Sequence, residues 1–232
     1  MPLAAYACIS RKNRVVSMNA HSVNGQDAPV DMRRDPIVIT TGCRPSSHSN
    51  GYVLVDRDGV LNVAVANGYV TDPSMLHILP GAAVAVAELN RAGYGVIVIS
   101  NQQCVGKGLL SRDGLRQITE RLRDCIRDAS GGDIDAFYYC PHLREERCAC
   151  RKPSPGMIFA AQDRFGFDLA ETPFIGDSYT DLETAKAAGT PAIFTLCGLE
   201  AERYHAGDPL PVASTPVVAD LAEAVGHWLR RR

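Results

Sequence analysis

The sequence predicts an α/β fold with a central parallel sheet. Two observations carry this. Short continuous apolar runs, the kind that form strands buried on both faces, alternate with longer amphipathic segments. Several of these runs also end at a polar or acidic residue, at Asp56, at Ser100 and, past Gly176, at Asp177. Strand–helix alternation of this kind implies right-handed crossovers and a sheet covered on both sides.

The elements follow in order. Tyr52–Val55 (YVLV) is the first strand and stops at Asp56. Residues 81–92 suit a helix with Gly93 as its stop. Tyr94–Ile99 (YGVIVI) is the second strand and runs into Ser100 and Asn101. Ser111 can cap a helix that places Leu115, Ile118, Leu122 and Ile126 on one face. Ile134–Tyr139 is the third strand and leads into a cysteine-rich loop over 140–152. Ser154 and Pro155 suit the N-cap and first position of a helix running to about Arg164. Phe174 and Ile175 make a short fourth strand ending at Gly176 and Asp177. Thr180–Ala188 reads as a helix stopped by Gly189. Ala192–Leu196 is a fifth strand, and a helix from about Asp220 to Arg230 closes the chain. Residues 1–50 lack a strong period and are expected to be a poorly ordered extension, although 36–43 (PIVITTGC) can form an edge strand. The domain itself is expected over 51–232.

Composition limits the function classes. The chain has 232 residues, 46% hydrophobic and 22% charged, with 24 basic against 26 acidic residues. That balance gives no basic footprint for nucleic acid. No apolar run approaches the ~20 residues needed to span a bilayer. A cytoplasmic monomer acting on a small molecule is the expectation.

Ligands of parallel α/β sheets bind beyond the carboxyl ends of the strands. The polar residues collect there. Asp56-Arg57-Asp58-Gly59 follows the first strand, Ser100 the second, the cysteine loop the third and Asp177-Ser178-Tyr179-Thr180-Asp181 the fourth. Three or four carboxylates from separate strand ends suit a hard cation such as Mg2+. Ser100 and Lys152 supply a hydroxyl and an ammonium for an anionic substrate. Taken alone, D-x-D-G is as readily a surface turn, and Asp181 can simply favour a helix N-terminus.

Eight cysteines occur, at 8, 43, 104, 125, 140, 148, 150 and 197. Three of them crowd together with His142. Cys140, His142, Cys148 and Cys150 fit a closed tetrahedral Cys3His zinc site, whose lack of an open position favours a structural role.

The motifs VLVDRDGVLN, SNQ, CRKPSPGM and IGDSYTD resemble those of the haloacid-dehalogenase-like phosphatases. CPH-x5-CxC followed by CRKP is similar to their zinc-containing, cap-less branch. The resemblance implies a Rossmann-like three-layer fold with no large cap domain. It also implies a Mg2+- and Zn2+-containing phosphatase that removes the 7-phosphate of a heptose 1,7-bisphosphate through an aspartyl-phosphate. Histidinol phosphate or another small phosphomonoester is the alternative substrate. Carried over residue by residue, Asp56 resembles the nucleophile and Asp58 the general acid and base. Asp56, the Asp58 carbonyl and Asp177 resemble the Mg2+ ligands, Ser100 and Lys152 the groups holding the phosphoryl, and Asp181 a group orienting metal-bound water. Arg151 resembles the contact to the non-reacting phosphate. Arg57, Asn67, Tyr69, Asn101, Gln102, Gln103 and Ser178 are the remaining expected substrate contacts.

Overall fold

A computed structural model describes residues 35–42 and 48–231. The extension expected before residue 35, with Cys8, and also Cys43, lie outside the described residues. Seven strands form one sheet in the order β1-β4-β3-β2-β5-β6-β7. They are β1 Ile37–Thr40, β2 Tyr52–Val55, β3 Gly95–Asn101, β4 Ala136–Cys140, β5 Phe174–Gly176, β6 Ala192–Thr195 and β7 Val217–Val218. β2 to β7 pair in parallel, and β1 runs antiparallel along β4. The edge strand expected over 36–43 is therefore present. Its alternation explains its place: Ile37 and Ile39 pack on the core while Val38 and Thr40 are exposed.

β2 is buried at every residue, as a central strand covered on both faces must be. Helices α1 (Ala82–Arg91), α2 (Arg112–Ser130) and α6 (Leu221–Leu229) share one apolar cluster with one face of the sheet. α3 (Gly156–Phe165) packs on the other face, with Ala185 and Ala188 of α4 (Tyr179–Ala188). α2 starts where its sequence says: the Ser111 hydroxyl accepts from the Gly114 amide at 2.9 Å, and Gly131 closes the helix with φ +73°.

Three differences from expectation bear on the local structure. β4 begins at Ala136, because Asp135 is used instead to hold neighbouring chain. One of its oxygens accepts from the Val96 amide and the other meets His48. Pro155 is the N-cap of α3 rather than its first residue. A five-residue helix, α5 (Ala201–His205), and strand β7 occupy the stretch read as a loop after residue 196.

Strand order reverses at β2. The chain moves through β3 and β4 to one side, then crosses back to β5 and β6 on the other. The carboxyl end of β2, where Asp56 sits, is the topological switch point at which such sheets bind ligands. Among the described residues, no helix is long and apolar enough to cross a membrane.

Candidate active site

Three parallel strand ends bring the site together. Asp56 leaves β2, Ser100 is the penultimate residue of β3, and Asp177 follows β5. Single carboxylate oxygens of Asp56, Asp177 and Asp181 all lie within 4.8 Å of one another, and all three residues are buried. Burial pushes Asp56 up to about 6, against the pull of Lys152. Burial, with Asp181 and Asp56 beside it, raises Asp177 well above the ordinary carboxylate range. Packed carboxylates that resist ionisation this strongly are a donor set suited to a hard divalent cation with oxygen ligands.

Lys152 supplies one positive charge to the cluster. Its Nζ lies 3.0 Å from Asp56 Oδ1 and 2.5 Å from Asp181 Oδ1, and donates to the Ile99 carbonyl at 3.1 Å. These three acceptors match the three donors of an ammonium. Burial works against the charged form, but Asp181 and Asp56 more than offset it, so Lys152 stays a cation. Its backbone is latched to β3 as well. Asn101 Oδ1 accepts from the Lys152 amide at 3.0 Å, and Asn101 Nδ2 donates to the Lys152 carbonyl at 3.2 Å.

The turn after β2 needs its glycine twice over. Gly59 has φ +90°, and a Cβ there would lie 2.3 Å from Asp177 Oδ2. On the far side a Cβ at Gly198 would lie 1.7 Å from the same oxygen. Two side-chain-free positions thus form the slot that holds the Asp177 carboxylate.

Asp58 lies apart from the three clustered acids. Its carboxylate accepts from Arg57 in a fork, with Nη2 at 2.8 and 3.0 Å and Nε at 3.2 Å. Asn62 Nδ2 and Gln102 Nε2 each add a bond of 2.8 Å. Burial alone would raise its pKa, but Arg57, Asn62 and Gln102 together hold it below the usual range.

Four expected substrate contacts are engaged within the protein itself. Arg57 is 0% exposed, forked on Asp58 and set over the Tyr139 ring, so its side chain braces the acid. Gln102, 1% exposed, bonds Asp58 and the Ser100 hydroxyl. Both ends of the Asn101 amide are used by the Lys152 backbone. The Ser178 hydroxyl caps α4 by accepting from the Asp181 amide, and it also donates to Asp181 Oδ2 at 2.7 Å. Tyr69 and Gln103 do meet, Gln103 Nε2 donating to the Tyr69 hydroxyl at 2.7 Å. Lys107, which sequence reasoning passed over, donates to the same hydroxyl at 2.9 Å. Asn67 is exposed, in the loop before Tyr69. A cavity of about 310 Å³ opens beside Lys152, with Arg151 in its wall. Two further roles lay hidden in sequence: Asp181 as a partner of Lys152, and Asn62 as a partner of Asp58. The adjacency of Asn62 to the D-x-D-G turn was the available signal.

The cysteine loop forms a second cluster. Cys140 Sγ is 3.6 Å from Cys148 Sγ, which is 3.5 Å from Cys150 Sγ. His142 Nδ1 lies 3.5 Å from Cys140 Sγ and 3.2 Å from Cys150 Sγ. A tetrahedral site with metal–sulfur bonds of ~2.3 Å has sulfur–sulfur edges of about 3.8 Å, so the four ligands fit Zn2+. Hydrogen bonding from Cys150 lowers Cys140 to about 6, while Cys150 and Cys148 are raised. With no cation the neighbouring thiols disfavour a second thiolate. A divalent metal would permit all three.

Comparison with known proteins places this geometry. A family model described as "HAD-hyrolase-like" matches residues 149–224. The D-glycero-beta-D-manno-heptose-1,7-bisphosphate 7-phosphatase of Pseudomonas aeruginosa is 33% identical over 182 residues, covering 78% of this chain and 99% of that protein. The enzyme of the same name from Bordetella bronchiseptica is 37% identical over 178 residues, covering 77% and 97%. A crystal structure of D,D-heptose 1,7-bisphosphate phosphatase from B. bronchiseptica, complexed with magnesium and phosphate, superposes with a TM-score of 0.73. It is 34% identical and covers 78% of this chain and 99% of that one.

Proposed function

The chain belongs to the haloacid-dehalogenase-like hydrolase family, and we propose that it removes the 7-phosphate of D-glycero-D-manno-heptose 1,7-bisphosphate. It is a phosphoric monoester hydrolase. The observation that supports the bisphosphate is the cavity beside Lys152, which has Arg151 in its wall and no carboxylate. Histidinol phosphate carries an ammonium at its far end. A cavity lined by cations opposes that ligand and suits a second phosphate.

The proposed chemistry assigns one task to each group. An Asp56 oxygen attacks phosphorus in line, forming the Asp56–phosphoryl bond as the bond to the sugar oxygen breaks. Lys152 and the Ser100 hydroxyl hold the equatorial phosphoryl oxygens. Asp58 gives its proton to the departing sugar oxygen. The approaching phosphate, a like charge, raises Asp58 from its resting ionised state so that it can carry that proton. Asp58 then takes a proton from water, which attacks phosphorus and restores Asp56. Mg2+, held by Asp56, Asp177 and the Asp58 carbonyl, would neutralise repulsion between nucleophile and phosphate. Asp181 serves here to fix Lys152. The cysteine cluster holds Zn2+ as a structural staple, and the described residues 51–231 with β1 make one cytoplasmic phosphatase domain.

The test is phosphate release from both anomers of heptose 1,7-bisphosphate, with histidinol phosphate as control. A higher kcat/KM for the bisphosphate is expected. A higher value for histidinol phosphate would overturn the assignment.

A further inference from the structure

Building on the 7-phosphatase reading, we infer that Arg144 and Arg147 of the cysteine loop form, with Arg151, the seat for the non-transferred phosphate. The cavity that starts at Lys152 and Asn101 is walled by Arg144, Arg147 and Arg151, and closes against Thr180 in the first turn of α4. Four cations and no carboxylate line it. Arg144 opens a 3-10 turn over Arg144–Glu146, Arg147 caps that turn with a left-handed backbone, and both residues line the same cavity. The intervening acids are turned to other use or to solvent: Glu146 Oε1 accepts from the Leu143 amide, and Glu145 is exposed outside the cavity.

Among the described residues, none of these three arginines forms an ion pair, whereas Arg116, Arg123, Arg127 and Arg203 each meet an acid. Arg151 is half-buried and uses Nη1 on the His142 carbonyl at 3.2 Å, which fixes the guanidinium to the cysteine loop. Three planar guanidiniums beside the ammonium that serves the reacting phosphoryl provide two anion positions in one cleft. Guanidinium forks suit phosphate oxygens. The residues that choose a bisphosphate would then sit on the same loop that the metal folds.

The test compares Arg144→Gln, Arg147→Gln and the double variant on two substrates, heptose 1,7-bisphosphate and heptose 7-phosphate, which lacks the second phosphate. Gln keeps much of the side-chain length, and metal analysis on each preparation confirms the loop. In the double variant, kcat/KM for the bisphosphate is expected to fall about tenfold or more beyond any fall for the monophosphate, through KM with kcat retained. Arg144→Lys with Arg147→Lys should restore much of the loss. An equal fall on both substrates, or none on the bisphosphate, would overturn the assignment while leaving the 7-phosphatase reading intact. Wild-type protein inactive on both anomers of the bisphosphate would overturn both.

Discussion

Replacing Arg57 with Met removes one half of a buried pair and leaves the other. Arg57 is 0% exposed at its side chain and Asp58 28%. Breaking a buried pair by deleting one partner costs about 3–5 kcal/mol. Asp58 keeps its bonds from Asn62 and Gln102, so the lower end applies, about 3 kcal/mol. For a domain of this size that is a melting shift of roughly 6–12 °C downward. The sign with pH follows from Asp58, whose carboxyl is held low in the fold. Such a group stabilises above its unfolded pKa and loses that contribution as pH falls through the folded value. The gap between wild type and Arg57→Met should therefore be full at neutral pH and narrow below about pH 4. Thermal melts across pH measure it, with steady-state kinetics alongside. A variant that melts like wild type but shows a raised KM would restore Arg57 as a substrate contact and refute the bracing role.

Other outcomes follow from the same geometry. Asp56→Asn should abolish turnover while leaving the far-UV spectrum and a folded baseline intact; hydrolysis at wild-type rate would remove Asp56 as nucleophile. Cys148→Ser should lower zinc from one per chain to none by metal analysis and destabilise the loop, and a retained ion would show that the ligand set is wrong. Gly198→Ala places a Cβ within bonding distance of Asp177 Oδ2, so the carboxylate must shift. Its Mg2+ requirement, read from activity against metal concentration, should rise about tenfold or more, by analogy with the loss of an oriented ligand partner. An unchanged requirement would exclude Asp177 from the metal site.

Much of this was legible in sequence because the strands are short and wholly apolar. YVLV and YGVIVI have no alternative home than a sheet covered on both faces, and Ser111 with Gly131 brackets α2. β7 was not legible: two valines pair with β6 only because that edge is already in place. In the site, Asp56 and Asp177 could be placed at strand ends and Lys152 at the end of the cysteine loop. Their partnership could not, since Lys152 and Asp181 meet across the sheet. Arg57 is the clearest case. Between two acids in a turn it looks like solvated surface, but the fork on Asp58 and the Tyr139 ring of β4 accompany its burial.

The central claim is that Asp56 itself becomes phosphorylated. The most direct measurement is mass spectrometry of enzyme quenched during turnover of the bisphosphate and reduced with borohydride, which converts an aspartyl-phosphate to homoserine. The account predicts homoserine at position 56 in wild type and none in Asp56→Asn. Homoserine at another position, or unmodified Asp56 while phosphate accumulates in the same tube, would contradict it.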